Sequence, residues 1–431
     1  MTSDPQHAAH GASAYVWVWL PGSTAPVVAG VAAPTGDRLQ GEPVLAFRYA
    51  ASYLARPEAI SLWLAELPLR DQVFDPRQPG IGRDPLPFAS CLRDAAPDAW
   101  GRRVINLRLS DDASRQTEET TYLLGSGSNR IGALDFQSSP HEHVTRDDDA
   151  TLDQLMDLAA LVEAGEHIPD SLAAAAQHGT SIGGARPKAL LTAGTRQLIA
   201  KFSSAADDQP VVKSEALAML LADRAGINVA PVELRRVNGK DVLLVERFDR
   251  VRRSDGTIER RGMLSMLTIL GLNAAGSWGA SYADIAHEIR TGAWGDVPGT
   301  LREMFTRLVF NILVGNNDDH LRNHAAFWDG RILTLTPAYD LAPQIRNTNP
   351  SSQAIAITRD GQRASQLRLA VDVAREFHLD RDEATGLIDG VRSAIETHWD
   401  ECADLAQLSL PERASLRGRQ FLNPYADYDQ A

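Results

Sequence analysis

Cysteine is nearly absent from this chain of 431 residues, with only Cys91 and Cys402 present. They offer neither metal-ligand spacing nor a disulfide framework, which suits a reducing cytoplasm. A basic excess is also missing. With 43 Lys and Arg against 56 Asp and Glu, the net charge is −13. Coating nucleic acid unaided needs a basic face, so that role is not expected, although a DNA-binding partner remains compatible. No apolar run approaches the roughly 20 residues of a membrane span. The polar start, Met1 to Ser13, lacks the basic-then-apolar order of a signal peptide. A cytoplasmic protein without membrane contact is the expectation. Internal repeats and long low-complexity tracts are lacking too. What remains, 44% apolar and 23% charged residues, is ordinary for a globular protein. The length suggests two or three domains.

The most informative segment is Gly315-Asn316-Asn317-Asp318-Asp319-His320-Leu321-Arg322-Asn323, followed by Tyr339-Asp340-Leu341-Ala342-Pro343. Upstream, Phe305, Leu308, Val309, Ile312 and Leu313 repeat at the spacing of a core-facing helix over Glu303 to Val314. Gly315 stops that helix and puts the polar run on a tight loop. Downstream, Ala325 to Trp328 and Arg331 to Thr336 flank Asp329-Gly330, a hairpin signal. A hairpin returns the chain to its start, so Asp340 is expected beside Asn323. Asp318 as base, then an amide and a second carboxylate on Mg²⁺, is the order a phosphoryl-transfer site needs.

Earlier in the chain, strands are expected at Tyr15 to Leu20 and Val44 to Tyr49, and a helix near Asp98. Ser138 to Asp149 is the best linker candidate. Gly183-Gly184 reads as a turn or as a flexible cover whose amides approach phosphates, with Ser181 beside it. Strands follow at Ala189 to Thr192 and Gln197 to Phe202, then a helix from Ser214 to Ala225. Within the second strand, Lys201 points to a fixed anion, either an ATP phosphate or Glu215, or it snorkels to water from an edge. Asn238-Gly239 joins two further strands, and Val242 to Val245 leads into Glu246 to Phe248, the expected adenine hinge. Arg250, Arg252, Arg253, Arg260 and Arg261 read as a solvated hairpin, or as a contact for an acidic partner or DNA backbone. Leu264 to Arg290 and Leu367 to Leu408 read as amphipathic helices.

Six motifs in this order resemble the HipA family of bacterial serine/threonine kinases, the toxins of two-gene toxin–antitoxin systems. They are Pro97 to Arg102, Arg130 to Leu134, Gly183 to Lys188, Val245 to Arg250, Asn317 to Asn323 and Pro337 to Pro343. The resemblance implies an α+β fold. Its body would be bilobal and protein-kinase-like, of the HipA and PI3/4-kinase type, with a small β-rich N-terminal domain and a helical C-terminal lobe. The expected segments are a disordered start (1–13), a partner-docking domain (14–137), a linker (138–152), an N-lobe (153–250), a helical C-lobe (251–425) and a tail (426–431).

The resemblance also implies ATP and Mg²⁺ as cofactors, Asp318 as catalytic base, and Asn323 and Asp340 as metal ligands. Lys201 would hold the ATP phosphates, Gly183, Gly184 and Lys188 would belong to their cradle, and Glu246, Phe248 and Asp249 to the hinge. His320 joins the nucleotide set, with the alternative that it holds loop carbonyls in place. Ser181 matches a self-silencing autophosphorylation site. The implied partners are a small helix-turn-helix antitoxin (HipB-like), DNA only through it, and a protein substrate such as an aminoacyl-tRNA synthetase. A metallophosphoesterase would need an Asp-x-His pattern upstream of the loop, and none is there. A non-catalytic corepressor and a small-molecule kinase of the same fold are the remaining alternatives.

Overall fold

The computed structural model describes residues 12–78, 83–110, 112–114, 117–146, 150–180, 186–204, 207, 209–346 and 348–428. Two units divide the chain. The first comprises Met1–Ala205, Asp249–Leu264 and Trp328–Gly330, and the second Ala206–Phe248, Ser265–Phe327 and Arg331–Ala431.

In the first unit, β1 (Ala14–Val18), β2 (Val27–Leu39), β3 (Glu42–Tyr49), β4 (Val73–Phe74) and β5 (Leu134–Gln137) form one antiparallel sheet in the order β4-β3-β2-β1-β5. Helices α1 (Ala51–Leu54), α2 (Ser90–Arg93), α3 (Ala99–Ser110), α4 (Glu119–Gly125), α5 (Leu152–Ala164) and α6 (Ala173–His178) accompany it. Helix α3 begins where the sequence suggests, because Asp98 caps it by accepting from the Gly101 N–H at 2.9 Å. The hairpin β6 (Lys188–Ala193) and β7 (Arg196–Phe202) turns at Gly194, whose φ is +60°. A second hairpin pairs β10 (Arg250–Arg252) with β11 (Ile258–Arg260).

Segment 138–146, expected as linker, is tied to the sheet. Asp135 on β5 is fully buried, and its carboxylate is held by Arg130 Nε, Arg146 Nη2 and His143 Nε2, each at 2.9 Å. A buried carboxylate is tolerated only when so compensated, and two of its partners come from the expected linker. Residues 147–149 lie outside the described residues. The arginines of the β10–β11 hairpin are likewise more engaged than the charge pattern alone suggests. Arg250 is buried against Asp249, and Arg260 stacks 3.6 Å over the Trp19 ring and donates to the Ser128 carbonyl at 2.7 Å. Arg253 pairs with Glu259, while Arg252 is exposed.

The second unit carries α7 (Val211–Arg224) and the hairpin β8 (Val232–Val237) and β9 (Lys240–Glu246). Asn238 and Gly239, both with positive φ, form the tight turn that their residue types favour. Strand β12 (Met263–Ser265) runs from one unit into the other. Then follow α8 (Met266–Ile269), α9 (Tyr282–Thr291), α10 (Val297–Val314), β13 (Ala325–Trp328), β14 (Leu333–Leu335), α11 (Leu367–Val373), α12 (Arg381–Leu405) and α13 (Leu410–Leu416).

Helix α10 starts earlier than its periodicity suggests, because Asp296 caps it and Pro298 occupies its first turn. All five of its periodic apolar residues are buried, but so are Thr306, Arg307, Phe310 and Asn311 on the other side. The helix is therefore central to its unit. Among the described residues, no helix is long and apolar enough to cross a membrane.

Candidate active site

The loop after α10 is set by its first residue. Gly315 adopts φ +69° and closes the helix in the left-handed conformation. An added Cβ there would lie 2.6 Å from the Gln420 carbonyl oxygen. Each following turn is fastened by the backbone. The Gly315 carbonyl accepts from Gln344 N–H (2.9 Å), the Asn317 carbonyl from Ala354 N–H (3.0 Å), and the His320 carbonyl from Asn323 N–H (2.8 Å).

On this framework the Asp318 side chain is exposed, whereas Asn323 is buried. Asn323 Nδ2 donates to the Asp318 carbonyl at 3.4 Å. Its amide oxygen, the atom that can ligate a cation, therefore faces the other way. The β13–β14 connection brings the chain back as expected. The Tyr339 hydroxyl donates to the Arg322 carbonyl at 2.6 Å, which places Asp340 next to the chain segment carrying Asn323. Asp340 has φ +59°, a conformation that costs a non-glycine residue about 1–3 kcal/mol and persists where the surroundings enforce it. Phe248 of the expected hinge packs 5.7 Å from the Tyr339 ring and 5.9 Å from Phe327. Glu246 enters through a 2.9 Å bond from its N–H to the Pro231 carbonyl. Asp318, Asn323, Asp340, Phe248 and Glu246 thus belong to one unit and are linked through their immediate neighbours.

Among the described residues, no group of three or more His, Cys, Asp or Glu could hold a metal. Magnesium of the nucleotide-bound kind takes one or two protein oxygens and fills the remaining positions with phosphate and water. The oxygen-only pair of Asn323 and Asp340 suits that hard cation.

Lys188 and Lys201 face one another in register across the β6–β7 hairpin of the first unit. Like charges directly opposite on one sheet face are unfavourable unless an anion compensates them. Asp98 supplies some of that charge to Lys188. Burial pushes the Asp98 carboxyl up to about 6 even though the Lys188 ammonium pulls it down. Gly183, Gly184 and Ser181 lie outside the described residues. The Asp249 carboxylate is committed within the first unit, accepting from Gly132 N–H at 2.8 Å and from Arg250 Nη1 at 2.9 Å. The Gly132 bond ties the motif around Arg130 to Asp249 within that unit. His320 is half-buried, and its Nδ1 is buried with no hydrogen-bond partner among the described residues.

Sequence reasoning passed over Asp319. Its side chain is buried at 1% exposure, beside a neighbour of the same residue type that is exposed. The Tyr282 hydroxyl donates to Asp319, and His324 Nε2 lies 3.1 Å from Asp319 Oδ2 and 3.0 Å from Oδ1. Burial and then the Asp319 carboxylate push the Tyr282 hydroxyl well above the usual phenol range, so it stays a donor. Only the doubled Asp-Asp hinted at this division of labour.

A sequence profile described as HipA-like C-terminal domain matches residues 180–399, just over half of the chain. The chain belongs to that family. The curated protein named "Putative kinase Y4mE", from Sinorhizobium fredii, is 28% identical over 205 residues. That alignment covers 45% of this chain and 48% of the relative, so the match spans about half of each protein. A chain of the Shewanella oneidensis MR-1 toxin–antitoxin complex of HipA, HipB and operator DNA aligns over 96% of this chain and 99% of its own length. Its TM-score is 0.68 at 16% identity. This likeness shows the fold, a HipA-type, kinase-like α+β fold.

Proposed function

We propose that the chain is an ATP- and Mg²⁺-dependent serine/threonine protein kinase that acts as the toxin of a HipA–HipB-like pair. The observation that carries the reading is the convergence in the second unit. Asn323 is bonded to the Asp318 backbone, and Tyr339, bonded beside Asn323, delivers Asp340 in an enforced left-handed conformation. Membership of the HipA-like family supports it, as does a relative named as a kinase.

Bound Mg²⁺·ATP would supply the phosphoryl group and neutralise its charge. The exposed Asp318 carboxylate would orient the acceptor hydroxyl and take its proton. Asn323 Oδ1 and the Asp340 carboxylate would hold the cation. Lys201, with Lys188 opposite, would offset phosphate charge, and the Glu246–Phe248 backbone would receive adenine. Modification of Ser181 would silence the enzyme, because a phosphate carries roughly −1.5 to −2 charges and would repel the nucleotide phosphates. The cytoplasm is the proposed location. The proposed partners are a helix-turn-helix antitoxin, DNA through that antitoxin, and a translation-related protein substrate such as an aminoacyl-tRNA synthetase.

The test is incubation of the chain and its Asp318→Ala variant, both verified as unphosphorylated, with Mg²⁺·ATP, followed by intact-protein mass spectrometry. A phosphate added to the native chain alone, mapped to Ser181, supports the reading. Equal incorporation in the two proteins removes Asp318 from the catalytic role.

A further inference from the structure

We infer that Asp319, Tyr282 and His324 are positioning residues, a buried brace that sets Asp318 and Asn323 relative to one another. The inference rests on the kinase reading above. A buried carboxylate is costly unless it is paired, and a loop needing only tight turns has no use for one. Here the Asp319 carboxylate accepts from the Tyr282 hydroxyl of α9 and meets His324 Nε2, just before β13, at 3.0–3.1 Å. Asn311 of α10 donates its Nδ2 to the Tyr282 oxygen at 3.3 Å and accepts from Asn316 Nδ2 at 3.0 Å. The Asn316 N–H also reaches the Asn311 carbonyl at 2.9 Å. His324 is fixed from behind, its carbonyl accepting from Met266 N–H at 2.8 Å.

Both ends of the brace adjoin a residue of the proposed machinery. Asp319 follows Asp318, and His324 follows Asn323. Drawing Asp319 and His324 into the interior fixes the backbone beside each of them, leaving the Asp318 side chain exposed and the buried Asn323 side chain held against the Asp318 carbonyl. The Asn323 Nδ2 bond to the Asp318 carbonyl then closes the unit. All three side chains of the network are buried, so it acts through the two residues it orients. Losing such a support is expected to cost about 10- to 100-fold in activity or metal affinity.

The experiment uses the full chain with Tyr282→Phe, which removes one hydroxyl and keeps the ring, and Asp319→Asn, which keeps the shape. Ile395→Val, in the buried face of α12, serves as a control for lost stability. Two quantities are read, the single-turnover rate of self-phosphorylation with Mg²⁺·ATP, and Mn²⁺ binding by electron paramagnetic resonance with a non-hydrolysable ATP analogue. The expected result is a rate about 10- to 100-fold lower in both brace variants, with weakened Mn²⁺ binding and no such change in Ile395→Val. Brace variants within twofold of the native chain in both readouts overturn the inference, as does a loss that merely follows melting temperature in all three. If the native chain binds Mn²⁺ and nucleotide without transferring phosphate, the metal readout alone decides. A native chain that does neither removes the kinase reading and this inference together.

Discussion

Two carboxylates in the first unit, Asp135 and Asp98, behave oppositely, and the difference lies in their neighbours. Around Asp135, burial works against the ionised form, but His143, Arg130 and Arg146 outweigh it and hold the carboxyl well below its usual range. Its contribution is present above the unfolded value near 4 and is lost as pH falls below it. Asp135→Asn leaves fully buried Arg130 without its partner, so a loss of about 3–5 kcal/mol is expected at neutral pH. The gap from the native chain should narrow in melts below pH 4. Around Asp98, burial wins and the carboxyl titrates near 6. Stability tied to its neutral form is present below pH 4 and lost as pH rises through 6. Asn caps a helix as well as Asp does. Asp98→Asn should therefore gain on the native chain in melting temperature between pH 4 and 7, and a gap constant with pH would refute the assignment. Within the candidate site, Asp340→Ala should abolish phosphate transfer while leaving the melting temperature of the unliganded chain within a few degrees. Near-normal turnover would remove Asp340 from the metal site.

Glycines that look alike in the sequence have opposite roles at the level of the element. Gly315 ends α10 at positive φ, with the Gln420 carbonyl where a Cβ would stand. Gly315→Ala should cost about 1–3 kcal/mol from backbone strain alone and displace the loop carrying Asp318, reducing transfer more than stability. Gly386, inside α12, has open space where its Cβ would be. Gly386→Ala should stabilise the chain by about 0.5–1 kcal/mol, read as a higher denaturation midpoint with unchanged transfer. Legibility also varied by element. The tight turn at Asn238-Gly239 and the extent of β13 match the residue pattern because local chemistry dictates them. Helix α10 starts six residues upstream of the expected Glu303, because a cap rather than periodicity sets its start.

For the whole molecule, the charge of −13 argues that DNA binding falls to the proposed antitoxin. The chain by itself should not retard operator DNA at physiological salt. Retardation should appear only with a helix-turn-helix partner, and the salt dependence of that complex should report the partner's phosphate contacts. Retardation by the isolated chain would contradict the division of labour. The arginines around Asp255 follow the same logic. Their pattern reads as a solvated hairpin or as a contact for an acidic partner or DNA backbone, yet Arg250 and Arg260 are held by Asp249, Trp19 and Ser128.

The order of chemistry along the chain was determined by sequence alone. A periodic helix stops at a glycine, acids and an amide follow on a tight loop, and a hairpin leads to a further acid. Those features depend on residues near one another in the chain, where turn and helix preferences operate. Which of the two adjacent aspartates faces outward was decided only by the tertiary structure. Asp318 and Asp319 have the same side chain and nearly the same local context. They differ because Tyr282, 37 residues earlier, and His324 come within hydrogen-bonding reach of one and not the other. A carboxylate enters the interior only where such partners await it.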